Sequence, residues 1–524
     1  MRHRSILAVL TLAALFAAGC GAQSKSSTAG ATAAGGASGA SNAVLRIPYL
    51  ADMSVPDPDV FYDIEGNSVI LNSYDGLLKY APGSSKIVGS LATSWTVSPD
   101  RLTYTFHLRP GVRFHDGSKL TSAAVKASFQ RRLAVAQAPS YMLQPVKSML
   151  TPKPLELVIE LKHPVNPFLA YLASSWGPKI IGPGAITQHA GSDHGQTWLR
   201  THDDGTGPYE IAAFDRGRQY VLTRSPGYWG TAPYFQKILF KITPDIGTQR
   251  LELQNGDLDA ILHSFPASEL SSLPSNLTVK RESSYLRLLL YVNTKRPPFS
   301  DPAVRAGLRS TFDVGQLVSE AYAGTATASA GAYPPGLLPS QPALPYKPDP
   351  VAAKAISAKA KTRSITLAYT ADESGVQRRA SELLQAQLTA AGYNVTLKEV
   401  QLPQVYGYVK DLAHAPDLLL VTNTPDAADP DTWARILFYS SGGLDFLGFK
   451  DPTIDRLLDQ AVSAPKAKAD ALYSQVGQRV LDSNEMFFLG DVKNVFVLSN
   501  KLTNVQAVPA YPWTVDLAAL RGTG

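Results

Sequence analysis

Histidine and aspartate are the residues of this chain that could together bind a metal ion, and they concentrate in one segment. Six of them fall within sixteen residues, namely His189, Asp193, His194, His202, Asp203 and Asp204. Imidazole and carboxylate groups suit zinc or nickel. Their spacing matches no compact ligand pattern, however, and Gly191, Gly195 and Gly205 are typical of a solvated loop. The sequence therefore predicts a polar loop here and no metal site.

Motifs of the common enzyme classes are missing from the sequence. It has no G-x-x-x-x-G-K-[ST] phosphate-binding loop, no H-E-x-x-H zinc motif and no G-x-S-x-G nucleophile turn. Its only cysteine, Cys20, lies near the N-terminus, which leaves no cysteine nucleophile in the body of the chain. Serine, histidine and aspartate are too common for composition alone to indicate a triad. We therefore expect a protein that is not an enzyme and needs no cofactor.

The first twenty residues have the parts of a secretory signal. Arg2 and Arg4 precede an apolar run from Ile6 to Ala18, and small residues stand directly before Cys20. A permanent membrane span needs ~20 apolar residues, so the run predicts export. The small residues and the cysteine resemble the lipobox of bacterial lipoproteins, in which that cysteine becomes the acylated first residue. The resemblance implies a lipid anchor at Cys20, and an ordinary cleaved signal is the alternative.

A flexible linker is predicted for residues 20–43. From Gly21 to Ala43 the chain is almost entirely Gly, Ala, Ser and Thr, and Lys25 is its only charge. Such a segment cannot bury enough apolar surface to offset the entropy of ordering it. The body beyond it is long enough for two or three domains. Its small excess of positive charge is spread out, whereas a nucleic-acid partner normally requires a concentrated basic surface, so we expect no nucleic-acid binding.

Local patterns predict alternating strands and helices. Tyr104, Phe106 and Leu108 alternate with polar residues, which is typical of a half-buried strand. Thr121 can cap a following helix from Ala123 to Leu133. Further segments with strand or helix patterns are the strands Val44–Leu50, Ile365–Tyr369 and Leu418–Thr422, and the helices Gln377–Ala391 and Ile454–Ala461. The order of these elements indicates an α/β protein.

Five segments occur in an order that resembles one known family. They are the strand-turn block of residues 91–117, Gly205–Tyr209 with Tyr228–Gly230, Leu253–Asp259, Tyr291–Thr294 with the segment up to Arg305, and Asp426–Asp431 with Asp451–Leu458. Together they resemble the family 5 extracellular solute-binding proteins, the oligopeptide- and dipeptide-binding components of ABC importers. The likeness extends over about the whole body of the chain.

The resemblance implies an α/β fold of the two-lobed periplasmic-binding-protein (flytrap) type, with an extra subdomain, of the group called cluster C. Mapped onto this chain, residues 1–19 are the signal peptide and 20–43 the lipid-anchored linker. Lobe I takes residues 44–77, 204–288 and 489–524, an extra subdomain takes 78–203, and lobe II takes 289–488. We expect a monomer whose lobes close over a ligand.

The resemblance also implies a ligand contact at Asp426. In peptide-binding relatives the aspartate of the equivalent D-x-x-D-P segment pairs with the peptide's α-amino group, because a buried amine needs a compensating anion. The alternative is that Asp426, with Asp429 and Asp431, only shapes the turn before a helix. Asp429 fits that structural role better, since it precedes Pro430.

Other candidate ligand contacts are aromatic or polar. Peptide binders commonly carry tryptophan three residues before the aspartate, and here that residue is Asn423. Tyr333 and Trp433 could supply stacking surfaces instead, although large aromatic residues fit a core equally well. A peptide carboxylate could meet one of three arginines, between which the sequence does not choose: Arg363, Arg378 and Arg379.

The function implied by the resemblance is that of a substrate-binding lipoprotein of an ABC importer. It would work outside the cytoplasm, held to the membrane by lipidated Cys20, capture peptides in the cleft between its lobes and deliver them to the transmembrane permease subunits. Two alternatives stay open. The solute could be an oligosaccharide, a nickel chelate or haem, or the protein could be a surface sensor or assembly factor that keeps the fold.

Overall fold

The computed structural model describes residues 43–263, 265–372 and 374–523. The predicted signal peptide 1–19, the predicted lipidation site Cys20 and the predicted linker 20–43, apart from Ala43, lie outside the described residues. Within the described ranges, no helix is both long and apolar enough to cross a lipid bilayer.

The strands follow one another along the chain in short segments. They are β1 Val44–Tyr49, β2 Leu78–Tyr80, β3 Ile87–Gly89, β4 Ala92–Val97, β5 Thr103–Leu108, β6 Val146–Lys153, β7 Glu156–Leu161, β8 Tyr209–Asp215, β9 Gln219–Arg224, β10 Lys237–Ile242, β11 Ala260–Ile261, β12 Leu277–Glu282, β13 Arg287–Val292, β14 Ala326–Ala328, β15 Ser364–Thr370, β16 Asn394–Val400, β17 Leu418–Asn423, β18 Met486–Val492, β19 Asn494–Ser499, β20 Leu502–Thr503 and β21 Arg521–Gly522.

Helices lie between the strands, mostly in the second half of the chain. The α-helices are α1 Asn67–Ser73, α2 Ser122–Val135, α3 Phe168–Ala173, α4 Ile246–Asn255, α5 Pro302–Thr311, α6 Val314–Tyr322, α7 Pro350–Ser357, α8 Val376–Ala390, α9 Leu402–Val405, α10 Pro430–Phe438, α11 Pro452–Ala461 and α12 Lys466–Ser483. Short 3₁₀ turns occupy Ser140–Leu143, Trp198–Arg200, Ala267–Glu269 and Tyr408–Lys410, and a π-helical turn occupies Gly184–Gln188.

A mixed sheet of four strands in the order β1-β10-β9-β8 is built from the first strand and a later meander. β1 runs parallel to β10, and the other pairs are antiparallel. The strands β11 and β12, which follow β10 in the chain, both pair with β19 and form a three-stranded antiparallel sheet. The N-terminal strand thus pairs with a strand far along the chain, since Val44 pairs with Lys237.

The segment from β4 to β7 forms an antiparallel sheet of its own, in the order β4-β5-β7-β6. Its strand β5 buries Tyr104, Phe106 and Leu108 on one face, which confirms the predicted alternation. Helix α2 packs on β6 and β7, and it begins where expected, because Thr121 Oγ1 accepts a hydrogen bond of 3.1 Å from the Ala124 amide.

A six-stranded sheet in the order β14-β18-β13-β17-β15-β16 forms the second half of the molecule. β17 and β16 both run parallel to β15, and the remaining pairs are antiparallel. The apolar runs predicted as buried strands are β15 and β17, which are neighbours in the interior of this sheet. Helix α8 is followed by Gly392 with φ of 101°, the left-handed conformation expected beyond a helix end.

The chain crosses between the three-stranded and the six-stranded sheet twice. Residues 283–286 join β12 to β13, and Lys493 alone joins β18 to β19. The two crossings lie side by side, because the Val492 amide donates to the Leu286 carbonyl and Ser284 Oγ donates to the Val492 carbonyl. The predicted lobe boundaries at 288/289 and 488/489 fall beside these crossings, and the division into lobes stays a prediction.

One hydrophobic cluster extends through both the β4–β7 sheet and the six-stranded sheet. It includes Phe106 and Leu157 from the first, and Leu289, Leu419 and Phe488 from the second. A separate cluster fills the space around the β1-β10-β9-β8 sheet. The contact between the β4–β7 sheet and the second half of the molecule is therefore apolar over part of its area.

Candidate ligand-binding site

Asp426 lies in the loop between β17 and α10, and its carboxylate is buried. Its exposed fraction is 3 %. The Tyr62 hydroxyl donates to Oδ1 and the Tyr141 hydroxyl donates to Oδ2, both at 2.7 Å. Ser174 Oγ donates to the Asp426 carbonyl oxygen. Asp426 thus joins the six-stranded half of the molecule to three segments from the first 180 residues.

No cation compensates the charge of Asp426 within the described part of the chain, since its carboxylate meets only the two hydroxyls. Burial raises the pKa of the Asp426 carboxyl above its ordinary value, and the two tyrosine hydroxyls lower it only in part. Burial and the neighbouring carboxylate also raise the pKa values of Tyr62 and Tyr141, so both remain neutral donors. A buried carboxylate without a cation is a site at which an incoming amine gains a partner.

The tyrosines that hold Asp426 are themselves positioned by other aromatic rings. Tyr62 packs edge-on against Trp176 at 5.7 Å, and Trp176 Nε1 donates to the Asp63 carbonyl. Tyr141 packs edge-on against Tyr171 at 5.6 Å. As whole residues, Tyr62 and Tyr141 nevertheless stay partly exposed, at 49 % and 38 %. The two tyrosines are thus partly exposed to solvent, while the carboxylate they contact is buried.

Asp429 and Asp431 shape the helix that follows. Asp429 accepts a hydrogen bond of 2.8 Å from the Asp431 amide and caps α10, with Pro430 at the first helical position. Burial, and after it the Asp431 charge, raises the pKa of Asp429 to about 7. Asp431 pairs with Arg435 at 3.0 Å. This arrangement gives these two aspartates the structural role, and it leaves Asp426 apart from them.

The other predicted contact residues lie in different surroundings. Asn423 ends β17, is half-buried, and donates to the Tyr291 hydroxyl at 2.9 Å. Tyr333 and Trp433 are fully buried in the hydrophobic cluster. The Tyr333 hydroxyl donates to the Tyr473 carbonyl and Trp433 Nε1 donates to the Ala332 carbonyl, each at 2.8 Å. Their rings and polar atoms are already engaged, which favours packing over ligand contact in this arrangement.

A cavity of about 260 Å³ is lined by residues from both halves of the molecule. Three chain segments contribute both to this cavity and to the surroundings of Asp426. The lining residue Ile64 is two positions after Tyr62, and the lining residue Thr422 is four positions before Asp426. The lining residue Leu402 is four positions before Tyr406, whose hydroxyl lies near the Asp426 charge. Asp426, Tyr62 and Tyr141 do not themselves line the cavity, so these shared segments are what relate the cavity to the carboxylate.

Besides Tyr322, three ionisable side chains of the described residues line this cavity. His263 pairs with Glu65 at 2.9 Å, and Asp372 accepts backbone hydrogen bonds from Val376 and Gln377 at the start of α8. The third is Lys493, at the single-residue crossing between the sheets. Within the described residues, the Lys493 ammonium has no hydrogen-bond or ion-pair partner. Lys493 also lines a second cavity of about 370 Å³, together with Tyr285 and Asp491, so it is a cation shared between two cavities.

The three arginines considered from the sequence do not line this cavity. Arg378 pairs with Glu399, and Arg379 lies 3.3 Å from Glu320, both on the outer surface. Arg363 is exposed beside β15. Lys493, which sequence reasoning missed, is the lysine that lines this cavity among the described residues.

The histidine and aspartate segment folds into paired and stacked side chains. His189, Trp198 and His202 stack at centroid distances of 4.5 and 4.6 Å. His115 pairs with Asp203. Burial alone would lower the pKa of His115, but the hydrogen bond and charge of Asp203 raise this pKa to about 9. In the ranges that the structure describes, no three histidine, cysteine or acidic side chains are grouped so as to hold a metal ion.

Comparison with known proteins agrees with this architecture. The profile of the bacterial extracellular solute-binding proteins, family 5, matches residues 86–445. The chain belongs to this family. It is therefore a solute-binding protein of an ABC transporter that works outside the cytoplasm, and the family is one of binding proteins rather than enzymes.

Individual relatives are similar over most of their length. The chain is 28 % identical over 473 residues to the probable D,D-dipeptide-binding periplasmic protein DdpA of Escherichia coli strain K12, covering 87 % of this chain and 90 % of the relative. It superposes on DppA from Helicobacter pylori in complex with the peptide STSA with a TM-score of 0.78 and 23 % sequence identity. That match covers 92 % of this chain and 98 % of DppA. It superposes on NikA from Brucella suis in complex with Fe(III)-EDTA with a TM-score of 0.82 and 21 % sequence identity, and the match covers 91 % of this chain and 99 % of NikA. The predicted two-lobed α/β binding-protein fold is confirmed.

Proposed function

We propose that this protein binds short peptides with a free amino terminus in the cleft beside Asp426. The observation that carries the proposal is the buried Asp426 carboxylate, held by two neutral hydroxyls and lacking a cation. A protonated amine that replaces one hydroxyl would convert an uncompensated buried charge into an ion pair. The peptide named for DdpA and the peptide bound to the H. pylori protein support the same class of ligand.

The cavity lined by Ile64, Leu402 and Thr422 suits a small ligand. Its volume of about 260 Å³ lies just below the range of roughly 300–1,000 Å³ that is usual for small-molecule sites. We therefore favour peptides of two or three residues. The ligand carboxylate would then meet the unpaired ammonium of Lys493, which lines the same cavity. One anion and one cation in a single cleft select a zwitterion of limited length.

Membrane attachment and delivery complete the proposal. Cys20 would carry the lipid anchor, residues 20–43 would form the flexible linker, and the closed protein would dock as a monomer on the permease subunits. Lobe I, the extra subdomain and lobe II, with the boundaries given above, would be the moving parts. The family membership and the lipobox-like sequence before Cys20 support these assignments.

Native mass spectrometry of the chain from residue 20 onward, purified gently from its own host, tests the ligand class. A ladder of added masses that fragment into dipeptides and tripeptides is the expected result. A single added mass with a metal isotope pattern would refute the proposal in favour of a chelate, and a sugar mass would refute it in favour of an oligosaccharide.

Titration calorimetry with Ala-Ala, N-acetyl-Ala-Ala and Ala-Ala-amide tests the two charged contacts. The acetylated and the amidated peptide should each bind at least about tenfold more weakly than Ala-Ala, because each lacks one charge-assisted hydrogen bond. Lys493→Met should weaken Ala-Ala and leave the amide unchanged. The exposed Lys468→Met is the matched control and should change neither affinity. Equal binding of Ala-Ala and its amide by the parent protein would exclude the role of Lys493.

A further inference from the structure

Arg101 and Asn166 reach from the β4–β7 sheet to the end of helix α11 in the other half of the molecule. Arg101 lies in the turn between β4 and β5, with a left-handed φ of 60°. Asn166 lies between β7 and α3. Arg101 Nη1 donates to Asn166 Oδ1 at 2.8 Å, so the two side chains form one unit. Neither residue lines the cavity of about 260 Å³.

This unit donates five hydrogen bonds to four consecutive carbonyl oxygens, those of residues 461–464. The Asn166 side chain donates to Ala461 and Ala464 at 2.8 and 3.0 Å, and its backbone amide donates to Val462 at 2.8 Å. Arg101 donates to Ser463 at 2.6 Å and to Ala464 at 2.9 Å.

The chemistry of a helix end explains why this contact is favourable. The last carbonyls of a helix have no partner inside the helix, and they carry partial negative charge. Ala461 is the last residue of α11, and its carbonyl also accepts from the Ala464 amide, whereas the carbonyls of residues 462–464 follow the helix end. The guanidinium and the amide of this unit supply donors to these carbonyls. If the two halves separated, all five hydrogen bonds would be exchanged for hydrogen bonds to water.

We propose that Arg101 and Asn166 hold the protein closed over its ligand, and that they are positioning residues for binding although they do not touch the ligand. The proposal rests on the proposed function, because it requires a molecule that opens and closes. The two halves are joined through residues 283–286 and Lys493, so rotation about these crossings would separate Arg101 from α11. Closing would remake the contact each time.

The contact should shift the balance between closed and open forms measurably. A hydrogen bond to a charged group contributes ~1.5–3 kcal/mol, which corresponds to roughly a 10- to 150-fold change in an equilibrium constant. Because ligand affinity depends on the fraction of closed protein, the dissociation constant should rise as the closed form becomes less populated. A loss of closure therefore appears in two independent measurements.

Single-molecule energy transfer tests the proposal on the chain from residue 20 onward. Cys20→Ser removes the only cysteine, and dyes are attached at Leu150→Cys on β6 and Val351→Cys on α7. Both sites are exposed, at 58 % and 81 %. In the ligand-free protein, Arg101→Ala should lower the ratio of short to long distances by about tenfold or more. Asn166→Asp, which replaces amide donors by a carboxylate facing carbonyl oxygens, should lower it further.

Two controls separate closure from folding. Arg113→Ala removes an exposed arginine of the same region that donates only to Gly117, and it should leave the distances unchanged. Arg101→Lys keeps the charge but can satisfy fewer carbonyls, so it should restore part of the closed population. Unchanged distances in both Arg101→Ala and Asn166→Asp, with normal circular dichroism, would overturn the proposal.

Addition of Ala-Ala distinguishes this proposal from the one on which it rests. If Arg101→Ala opens the protein but Ala-Ala and other dipeptides do not close the parent protein, the contact stands and the peptide proposal fails. If dipeptides close the parent and Arg101→Ala binds them with unchanged affinity and distances, the peptide proposal stands and the role of Arg101 is excluded.

Discussion

Replacement of Asp426 by asparagine should have opposite effects on ligand binding and on the stability of the free protein. Asparagine keeps the shape of the side chain and can still accept a hydrogen bond from Tyr62 or donate to the Tyr141 oxygen. What it removes is the negative charge, which in the free protein is buried at 3 % exposure without a cation. The variant therefore isolates the charge from the packing.

The size of the binding effect follows from the burial of the site. Removing one partner of a buried charge pair typically costs ~3–5 kcal/mol, because the remaining charge is left uncompensated. For a peptide amine beside residue 426, this corresponds to roughly a hundredfold to a few thousandfold loss of affinity. An N-acetylated peptide has no such charge, so its affinity should change little.

The free protein should respond in the other direction. Burial raises the pKa of Asp426, which means that the folded state disfavours the charged form relative to the unfolded chain. A neutral amide avoids this cost, so Asp426→Asn should melt at a higher temperature than the parent in the absence of peptide. Addition of Ala-Ala should then raise the melting temperature of the parent but not that of the variant.

Calorimetry and differential scanning fluorimetry measure the two effects on the same preparations. Asp429→Asn is the matched control from the same loop, because asparagine is an equally good helix cap, and it should leave peptide affinity nearly unchanged. Retention of full affinity by Asp426→Asn would refute the ion pair. A lower melting temperature of the free variant would refute the assignment of Asp426 as an uncompensated buried charge.

Three further predictions concern the same protein. Affinity for Ala-Ala should fall as the pH decreases through the raised pKa of Asp426, because only the ionised carboxylate binds the amine. When the parent protein and Asp426→Asn are both titrated between pH 7 and pH 4, this loss of affinity should be absent in the variant. Tyr62→Phe and Tyr141→Phe each remove one donor to Asp426, so free-protein stability should fall by ~1–3 kcal/mol while affinity for Ala-Ala rises; a fall in affinity would instead indicate that the hydroxyls bind the peptide. Asp57→Ala leaves Arg131 without one of its two buried carboxylate partners, each 2.6 Å away, and should lower stability by ~3–5 kcal/mol in urea denaturation; a change below about 1 kcal/mol would contradict this buried-pair assignment.

Local sequence patterns predicted the elements that depend on near neighbours. The alternation of Tyr104, Phe106 and Leu108 identified β5, and Thr121 identified the start of α2, because both signals lie within a few residues. The apolar runs of β15 and β17 identified buried strands, and the structure shows that these two are parallel neighbours. These features follow from side-chain periodicity and capping alone.

The surroundings of Asp426 could not be read in the same way. Tyr62 and Tyr141 are 364 and 285 residues from Asp426 in the chain, and no local pattern marks them among the 23 tyrosines. Lys493 is an ordinary lysine in the sequence and becomes notable only through its place at the crossing between two sheets. Trp433 and Tyr333 show the reverse case, since a large aromatic residue has the same pattern in a core as at a surface.

The hydrophobic cluster that extends from the β4–β7 sheet into the six-stranded sheet has a thermodynamic consequence. If the two halves part, apolar side chains that now face each other become hydrated, and closing removes that water again. Hydration of apolar surface carries a large heat capacity, and polar contacts contribute with the opposite sign. Even a small, highly polar solute should therefore bind with a negative heat-capacity change, larger than its own surface can explain, and its binding enthalpy should become more favourable on warming.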